Sequence, residues 1–188
     1  MKRLAVLLAL AGALYLFPAP ALAQDHVEVG VFADYVKLHN AGDANFWGLG
    51  GRAAFNVHRN IQFEAEMAYD FEKTINVSFT SNGGITVARS PLHLLHGTFG
   101  PKFTLGTGAW RIFGFAKGGF LNFSTNTSFT GAVTGVTSGN TNGVFYPGGG
   151  VEAFAGPVGL RLDVGDLMYF DSGANHNLRV TFGPHFRF

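Results

Sequence analysis

Two neighbouring histidines, His93 and His96, are the first residues whose side chains could bind a metal ion. Successive side chains of a β-strand point to opposite faces, so residues three apart also lie on opposite faces. If this segment is a strand, the two imidazoles cannot reach one ion without a bend in the backbone. We therefore predict no metal site and no other cofactor site, with His93 in a loop and His96 inside the fold.

Charged residues form a second group, because they recur at every second position opposite apolar residues. Glu64, Glu66 and Asp70 occupy alternate positions of one segment, and Arg161 and Asp163 occupy alternate positions of a later one. An unpaired buried charge costs several kcal/mol, so we expect acids and bases to pair as a polar core. A narrow path for ions is the alternative. The predicted inward-facing charges are Glu28, Asp34, Arg52, Glu64, Glu66, Asp70, Lys102, Glu152, Arg161, Asp163, Arg179 and Arg187.

The overall composition favours a fold with little water-facing surface. The 188 residues are the size of one domain, and only 13% are charged, against about 25% in an average soluble domain. The chain has no cysteine, so disulfides cannot hold it together. A formal net charge of +1 provides no basic surface for nucleic acid.

Residues 1–23 have the pattern of a secretory signal peptide. Lys2 and Arg3 precede an apolar stretch, and Ala21-Leu22-Ala23 forms a small-residue cleavage site. The apolar stretch is shorter than the roughly 20 residues of a membrane-spanning helix. We therefore predict cleavage after Ala23, which leaves residues 24–188 as one mature domain.

The alternation of apolar with polar residues predicts eight strands. It is clear over residues 61–71, 158–165 and 177–188, and weaker over 27–38, 46–57, 94–105, 110–123 and 144–154. The phase breaks near Lys117, which predicts a β-bulge there. The glycines at 118–119 and 148–150 predict close packing in the interior, since neither a Lys-Ser/Thr pair nor a helix follows them.

The connections between these strands alternate in length. Short turns are predicted at 58–60, 106–109 and 156–157, and longer polar loops at 39–45, 72–91, 124–143 and 166–176. Outer-membrane barrels have an even number of strands, short turns at one end and longer loops at the other. The pattern therefore predicts an all-β fold, an eight-stranded antiparallel up-and-down transmembrane β-barrel.

Aromatic residues at the strand ends agree with this arrangement. They fall into two groups, one near the long loops and one near the short turns, as expected for rings at the two membrane interfaces. The predicted interface aromatics are Tyr35, Trp47, Tyr69, Trp110, Tyr169, Phe186 and Phe188.

The C-terminal segment carries a family resemblance. Residues 180–188 alternate apolar or aromatic positions and end on Phe188; this resembles the C-terminal signal of outer-membrane barrels, and the mature chain resembles the small OmpA-like and OmpX-like barrel family. Pro184 departs from the commonest pattern. The resemblance implies a location in the bacterial outer membrane, contact with its lipid, and recognition of Phe182, Phe186 and Phe188 by the barrel assembly machinery.

A second, weaker resemblance concerns enzymes. A PagL-type outer-membrane lipid A deacylase carries a His and a Ser two apart on one strand, and His96 and Thr98 have that spacing. Thr replaces Ser, both residues are predicted to face inward, and the sequence assigns no acidic residue to orient the histidine. We therefore predict no catalytic residues.

The resulting expectation is a non-enzymatic membrane barrel with a structural or adhesive surface role. Its loops are candidates for contact with an extracellular ligand. The alternative is a narrow porin-like channel for ions or small solutes. A soluble binding barrel of lipocalin type and a lipid A-modifying enzyme rank below these two.

Overall fold

The computed structural model describes residues 26–39, 44–81, 84–106, 108–125, 141–171 and 173–188, without the side chains of 73–91 and 125. The predicted signal peptide and most of the predicted loop at 124–143 lie outside these residues. The described part contains no helix with the length and hydropathy of a membrane-spanning segment.

Ten strands make up the described structure. They are β1 (Val27–Leu38), β2 (Ala44–His58), β3 (Ile61–Ser81), β4 (Gly84–Leu105), β5 (Trp110–Thr125), β6 (Thr141–Ala155), β7 (Val158–Asp166), β8 (Met168–Phe170), β9 (Ala174–Asn175) and β10 (Asn177–Arg187).

Eight of these strands close into a barrel. Strands β1 to β7 pair in sequence order, each antiparallel to the next, and β10 joins β7 to β1. The short strands β8 and β9 form a small hairpin, and β8 continues the pairing of β7 with β6. The predicted fold class, an eight-stranded antiparallel barrel, is confirmed.

The two ends of the barrel differ in the length of their connections. The turn end carries the connections at 59–60, 106–109 and 156–157, together with the start of β1 and the end of β10. The loop end carries the other connections, including the hairpin β8–β9. The predicted loop at 166–176 is therefore partly strand.

The predicted loop at 72–91 is wrong for most of its length. Strands β3 and β4 continue to pair from Lys73 opposite Leu92 up to Ser81 opposite Gly84, which makes a hairpin that extends the barrel wall. The segment is rich in Val, Ile, Thr and Phe, which favour strands. The ladder is irregular between Asp70 and Lys73, where the extension begins.

The predicted bulge near Lys117 is also wrong. Strand β5 keeps a single register against β4, from Leu92 opposite Thr125 to Leu105 opposite Ile112. Phe113, Phe115 and Lys117 therefore all point inward, although two of them are aromatic. Glycines make this arrangement possible: a Cβ at Gly150 would lie 2.7 Å from the Phe113 ring, and one at Gly148 would lie 2.6 Å from the Phe115 ring.

Candidate functional site

The outer surface of the barrel is an apolar belt. Every barrel strand presents at least one large apolar side chain that is 42–62% exposed. One such residue from each strand, in barrel order, gives Val31, Leu49, Met67, Phe99, Ile112, Val151, Leu162 and Phe182. A ring of this kind would be costly in water, because burying one such side chain is worth about 1.5–3 kcal/mol.

Most of the predicted interface aromatics lie on this outer surface. Trp47 and Tyr69 are exposed towards the loop end, and Trp110, Phe186 and Phe188 are exposed at the turn end. Tyr35 is half-buried; its ring centroid lies 4.8 Å from that of Trp47, and its hydroxyl donates to Asn45.

The placement of Tyr169 at the outer surface is wrong. Its ring is buried inside the barrel, 5.3 Å from the ring of Phe123. Tyr169 shares the phase of Arg161 and Asp163, and β8 keeps that phase beyond the end of β7. The strand-end position suggested an interface residue, but the phase of the strand decides the direction of the side chain.

The inward-facing side chains form two layers, and the first is a charged layer in the middle and at the turn end. Of the twelve predicted inward charges, Arg187 alone is not fully buried. It lies half-buried at the turn end, with its guanidinium 4.3 Å from the centre of the Phe154 ring. The other eleven line the interior as buried residues: Glu28, Asp34, Arg52, Glu64, Glu66, Asp70, Lys102, Glu152, Arg161, Asp163 and Arg179.

Ion pairs in the charged layer connect strands across the barrel. Arg161 on β7 binds Glu64 on β3, with its Nη2 3.0 Å from Glu64 Oε1. Arg52 on β2 lies 2.8 Å from Asp163 on β7, which also binds Arg161 at 2.8 Å. The Thr181 hydroxyl donates to Asp163 and accepts from Arg52. Each carboxylate here is shared between cations, as buried charges require.

Lys117 belongs to the charged layer but was missed by the sequence analysis. Its Nζ lies 2.9 Å from Glu66 Oε1 and also binds Glu64. The ammonium group lies 4.3 Å from the centre of the Phe115 ring, a cation–π distance. The predicted bulge had removed Lys117 from the inward phase, whereas an unbroken phase through Phe113 and Phe115 would have included it.

The second layer is an apolar layer at the loop end. The sequence analysis did not predict it, because it treated the whole inward phase as polar. The signal was present where both phases become apolar, as at Leu94 and Leu95. The inward members of this layer are buried and contiguous: Val36, Leu38, Phe46, Leu92, Leu94, Leu121, Phe123, Val144, Leu167 and Tyr169.

The two histidines of the sequence analysis lie on opposite faces of β4. His93 is therefore in a strand rather than a loop, and its Nδ1 lies 3.3 Å from the Tyr69 hydroxyl. His96 is buried inside, with its Nε2 3.0 Å from Asp34 Oδ2 and 3.3 Å from Asp70 Oδ2. The conclusion that no acidic residue orients His96 is wrong, because the partners come from β1 and β3.

Large buried side chains close the interior of the barrel. Arg179, Lys102, Lys117 and Tyr146 fill the middle of the barrel with no exposed surface. His96 and Thr98 are both buried there. A molecule outside the barrel would meet the outward side chains of β4 instead.

Comparisons with known proteins identify the fold. No model of a known protein family and no curated protein sequence matches the chain. Among solved structures, Neisserial surface protein A matches with a TM-score of 0.54 and 12% identity, over 87% of this chain and 96% of that one. The N-terminal β-barrel domain of Pseudomonas aeruginosa OprF matches with a TM-score of 0.51 and 12% identity, over 88% and 99%.

A third similar structure is the outer membrane protein W of E. coli, with a TM-score of 0.51 and 15% identity, over 89% of this chain and all (100%) of that one. At these identities the likeness concerns the fold. The resemblance to small outer-membrane barrels is thereby confirmed at the level of architecture: the chain has the closed eight-stranded antiparallel barrel fold that these outer-membrane proteins share.

Proposed function

We propose that this chain is an integral protein of the bacterial outer membrane with a non-enzymatic, structural or adhesive role at the cell surface. The apolar belt carries the proposal, since a complete ring of exposed apolar side chains around a closed barrel suits lipid and not water. Lipid on all sides would cover the belt, while the loop end would face the outside of the cell.

The interior supports an anchoring role over the porin-like alternative. An ion crossing the barrel would meet the paired charges of the charged layer and then the apolar layer, whose buried members are mostly aliphatic or phenyl side chains that cannot replace its hydration. The lipocalin-type alternative requires the reverse arrangement, with an apolar cavity inside and charges outside.

Export and assembly complete the proposal. The predicted signal peptide, residues 1–23, would direct the chain across the inner membrane. Phe182 and Phe186 on β10, and Phe188 directly after it, are exposed on the outer surface, where they would be accessible to the barrel assembly machinery. Outer-membrane lipid and this machinery are thus the proposed partners, together with a surface ligand at the loop end.

Cell fractionation tests the location. We expect the protein in the outer-membrane fraction, with a change of electrophoretic mobility on boiling, because closed barrels resist detergent. Protease added to intact cells should cut at the loop end and leave the turn end protected. A soluble periplasmic protein with no mobility change would contradict the proposal.

A pair of substitutions on β7 tests the belt directly. Leu162 lies in the middle of the outward row of β7, and Val158 lies in the same row at the turn end, with similar exposures of 45% and 42%. Leu162→Arg should lower the free energy of unfolding in lipid vesicles by about 2–4 kcal/mol, and Val158→Arg by about 0–1 kcal/mol, since the cost depends on membrane depth. Equal effects of the two substitutions would argue against a membrane around β7.

A further inference from the structure

Three buried side chains from three strands converge where the charged layer meets the apolar layer. Asp34 on β1, Asp70 on β3 and His96 on β4 are each at most 1% exposed. One carboxylate oxygen of each aspartate and one nitrogen of His96 all lie within 4.8 Å of one another. Val36 and Leu94 follow Asp34 and His96 on their inward rows, and Phe46 on β2 pairs with Val36; all three are buried on the loop-end side of the cluster.

The backbone around the cluster leaves room for the two carboxylates. Gly48 on β2 pairs with Asp34 on one side and with Asp70 on the other. A Cβ on Gly48 would collide with the Asp70 Oδ1 atom. The missing side chain thus lets the two aspartates approach each other across β2, and the irregularity of β3 begins directly after Asp70.

Asp70 is short of cationic partners. Among the residues that the structure describes, it is the one buried carboxylate without an ion pair to Lys or Arg, and its close ionisable partner is His96, with Nε2 3.3 Å from Asp70 Oδ2. Asp34 is paired with Arg179, but that guanidinium also binds Glu66. The cluster therefore has more negative than positive charge when His96 is neutral.

The shortage is local to this cluster rather than general to the charged layer. The fully buried residues of the described barrel include seven carboxylates and five Lys or Arg side chains. The carboxylates are Glu28, Asp34, Glu64, Glu66, Asp70, Glu152 and Asp163, and the cations are Arg52, Lys102, Lys117, Arg161 and Arg179. Arg111 and Arg187 add two partly buried cations at the turn end, where Arg111 lies 4.0 Å from Glu152, so the carboxylate that lacks a cation is Asp70.

We propose that Asp34, Asp70 and His96 bind one divalent transition-metal ion, such as Zn²⁺, which ties β1, β3 and β4 together. Zn²⁺ binds imidazole and carboxylate at about 2.0–2.2 Å, so its tetrahedral ligands lie about 3.3 Å apart. The separations of His96 Nε2 from the two carboxylates, 3.0 and 3.3 Å, suit such a site. An imidazole with two carboxylates suits a first-row transition metal better than Ca²⁺ or Mg²⁺.

A second cluster of the same residue types provides a matched control. Glu28, Glu152 and His185 also come within 4.8 Å of one another. There, however, Lys102 Nζ lies 2.7 Å from Glu152 and 3.6 Å from Glu28, so an ammonium group already takes the position of the cation. This cluster is therefore not expected to bind metal.

The test is metal binding by the folded protein. The mature chain is refolded from urea into detergent with Zn²⁺ or Co²⁺, freed of unbound metal, and checked for folding by its mobility change on boiling. We expect about one ion per chain by elemental analysis, and a visible Co²⁺ spectrum typical of tetrahedral coordination. His96→Gln and Asp70→Asn should weaken binding at least about tenfold, whereas His185→Gln should bind as the wild type does.

Folded wild-type protein that retains less than about a tenth of an ion per chain would overturn the proposal; His96 would then be a protonated bridge between the two aspartates. Loss of the ion in His185→Gln, with retention in His96→Gln, would overturn the assignment of the site. If the His96 and Asp70 variants do not fold, the wild-type stoichiometry, the Co²⁺ spectrum and His185→Gln still decide. A metal-free barrel would leave the proposed location in the outer membrane unaffected.

Discussion

The charged layer and the apolar layer fill the same barrel with different chemistry. In the charged layer, Arg161 reaches across the interior to Glu64, and the buried carboxylates depend mainly on partners of opposite charge. In the apolar layer, Leu121 and its neighbours depend on shape and volume. A charge that loses its partner keeps the cost of its burial, whereas an apolar contact that is lost leaves a cavity. Substitutions in the two layers should therefore lower the free energy of unfolding for different physical reasons.

Removal of a cation from the charged layer should have the largest effect. Arg161→Ala leaves Glu64 and Asp163 with fewer partners in the interior, and breaking a buried ion pair in this way costs about 4 kcal/mol. Urea unfolding in lipid vesicles would measure the loss. Arg59→Ala, in the exposed turn between β2 and β3, is the control and should change little. Similar values for both variants would mean that water hydrates the charged layer.

Truncation in the apolar layer should have a somewhat smaller effect. Leu121 is fully buried, so Leu121→Ala should lower the free energy of unfolding by about 3 kcal/mol through lost contacts and a cavity. Leu160→Ala, on the exposed face of β7, is the matched control, because truncation of a side chain on the outer surface leaves no cavity inside the protein. If Leu160→Ala lowers the free energy of unfolding as much as Leu121→Ala does, the apolar layer is not packed as described.

The smallest effect should be seen in ion conductance. The wild type should give no current steps in a planar bilayer, because each layer closes the barrel independently. Arg161→Ala should stay silent behind the apolar layer, and Leu121→Ala behind the charged layer. Discrete steps in the wild type would instead favour the porin-like alternative, and steps in one variant alone would identify the layer that closes the barrel.

The alternation of residues was enough to predict the strands and the direction of most side chains. Glu64 and Leu162, for example, were assigned to opposite faces, and the structure places them there. Period two gives the face of a strand but not the height along the barrel axis. For that reason the sequence analysis did not separate the charged layer from the apolar layer.

The partners within the interior could not be predicted. Arg161 and Glu64 are 97 residues apart, and their contact depends on the tilt and stagger of the closed barrel. The cluster at Asp34, Asp70 and His96 likewise needs three strands in register. Lys117 was missed for a local reason, because two inward phenylalanines looked like a break of phase.

The glycines of β6 also bear on how this sequence can change over time. Gly150 and Gly148 provide the space that the rings of Phe113 and Phe115 occupy. A Cβ at Gly148 would also lie 2.6 Å from the carbonyl oxygen of Val164 on β7, so a smaller ring on β5 would not by itself make room for a larger residue on β6. In evolutionary terms both positions should stay glycine, because a substitution at either would need changes on β5 and β7 at once.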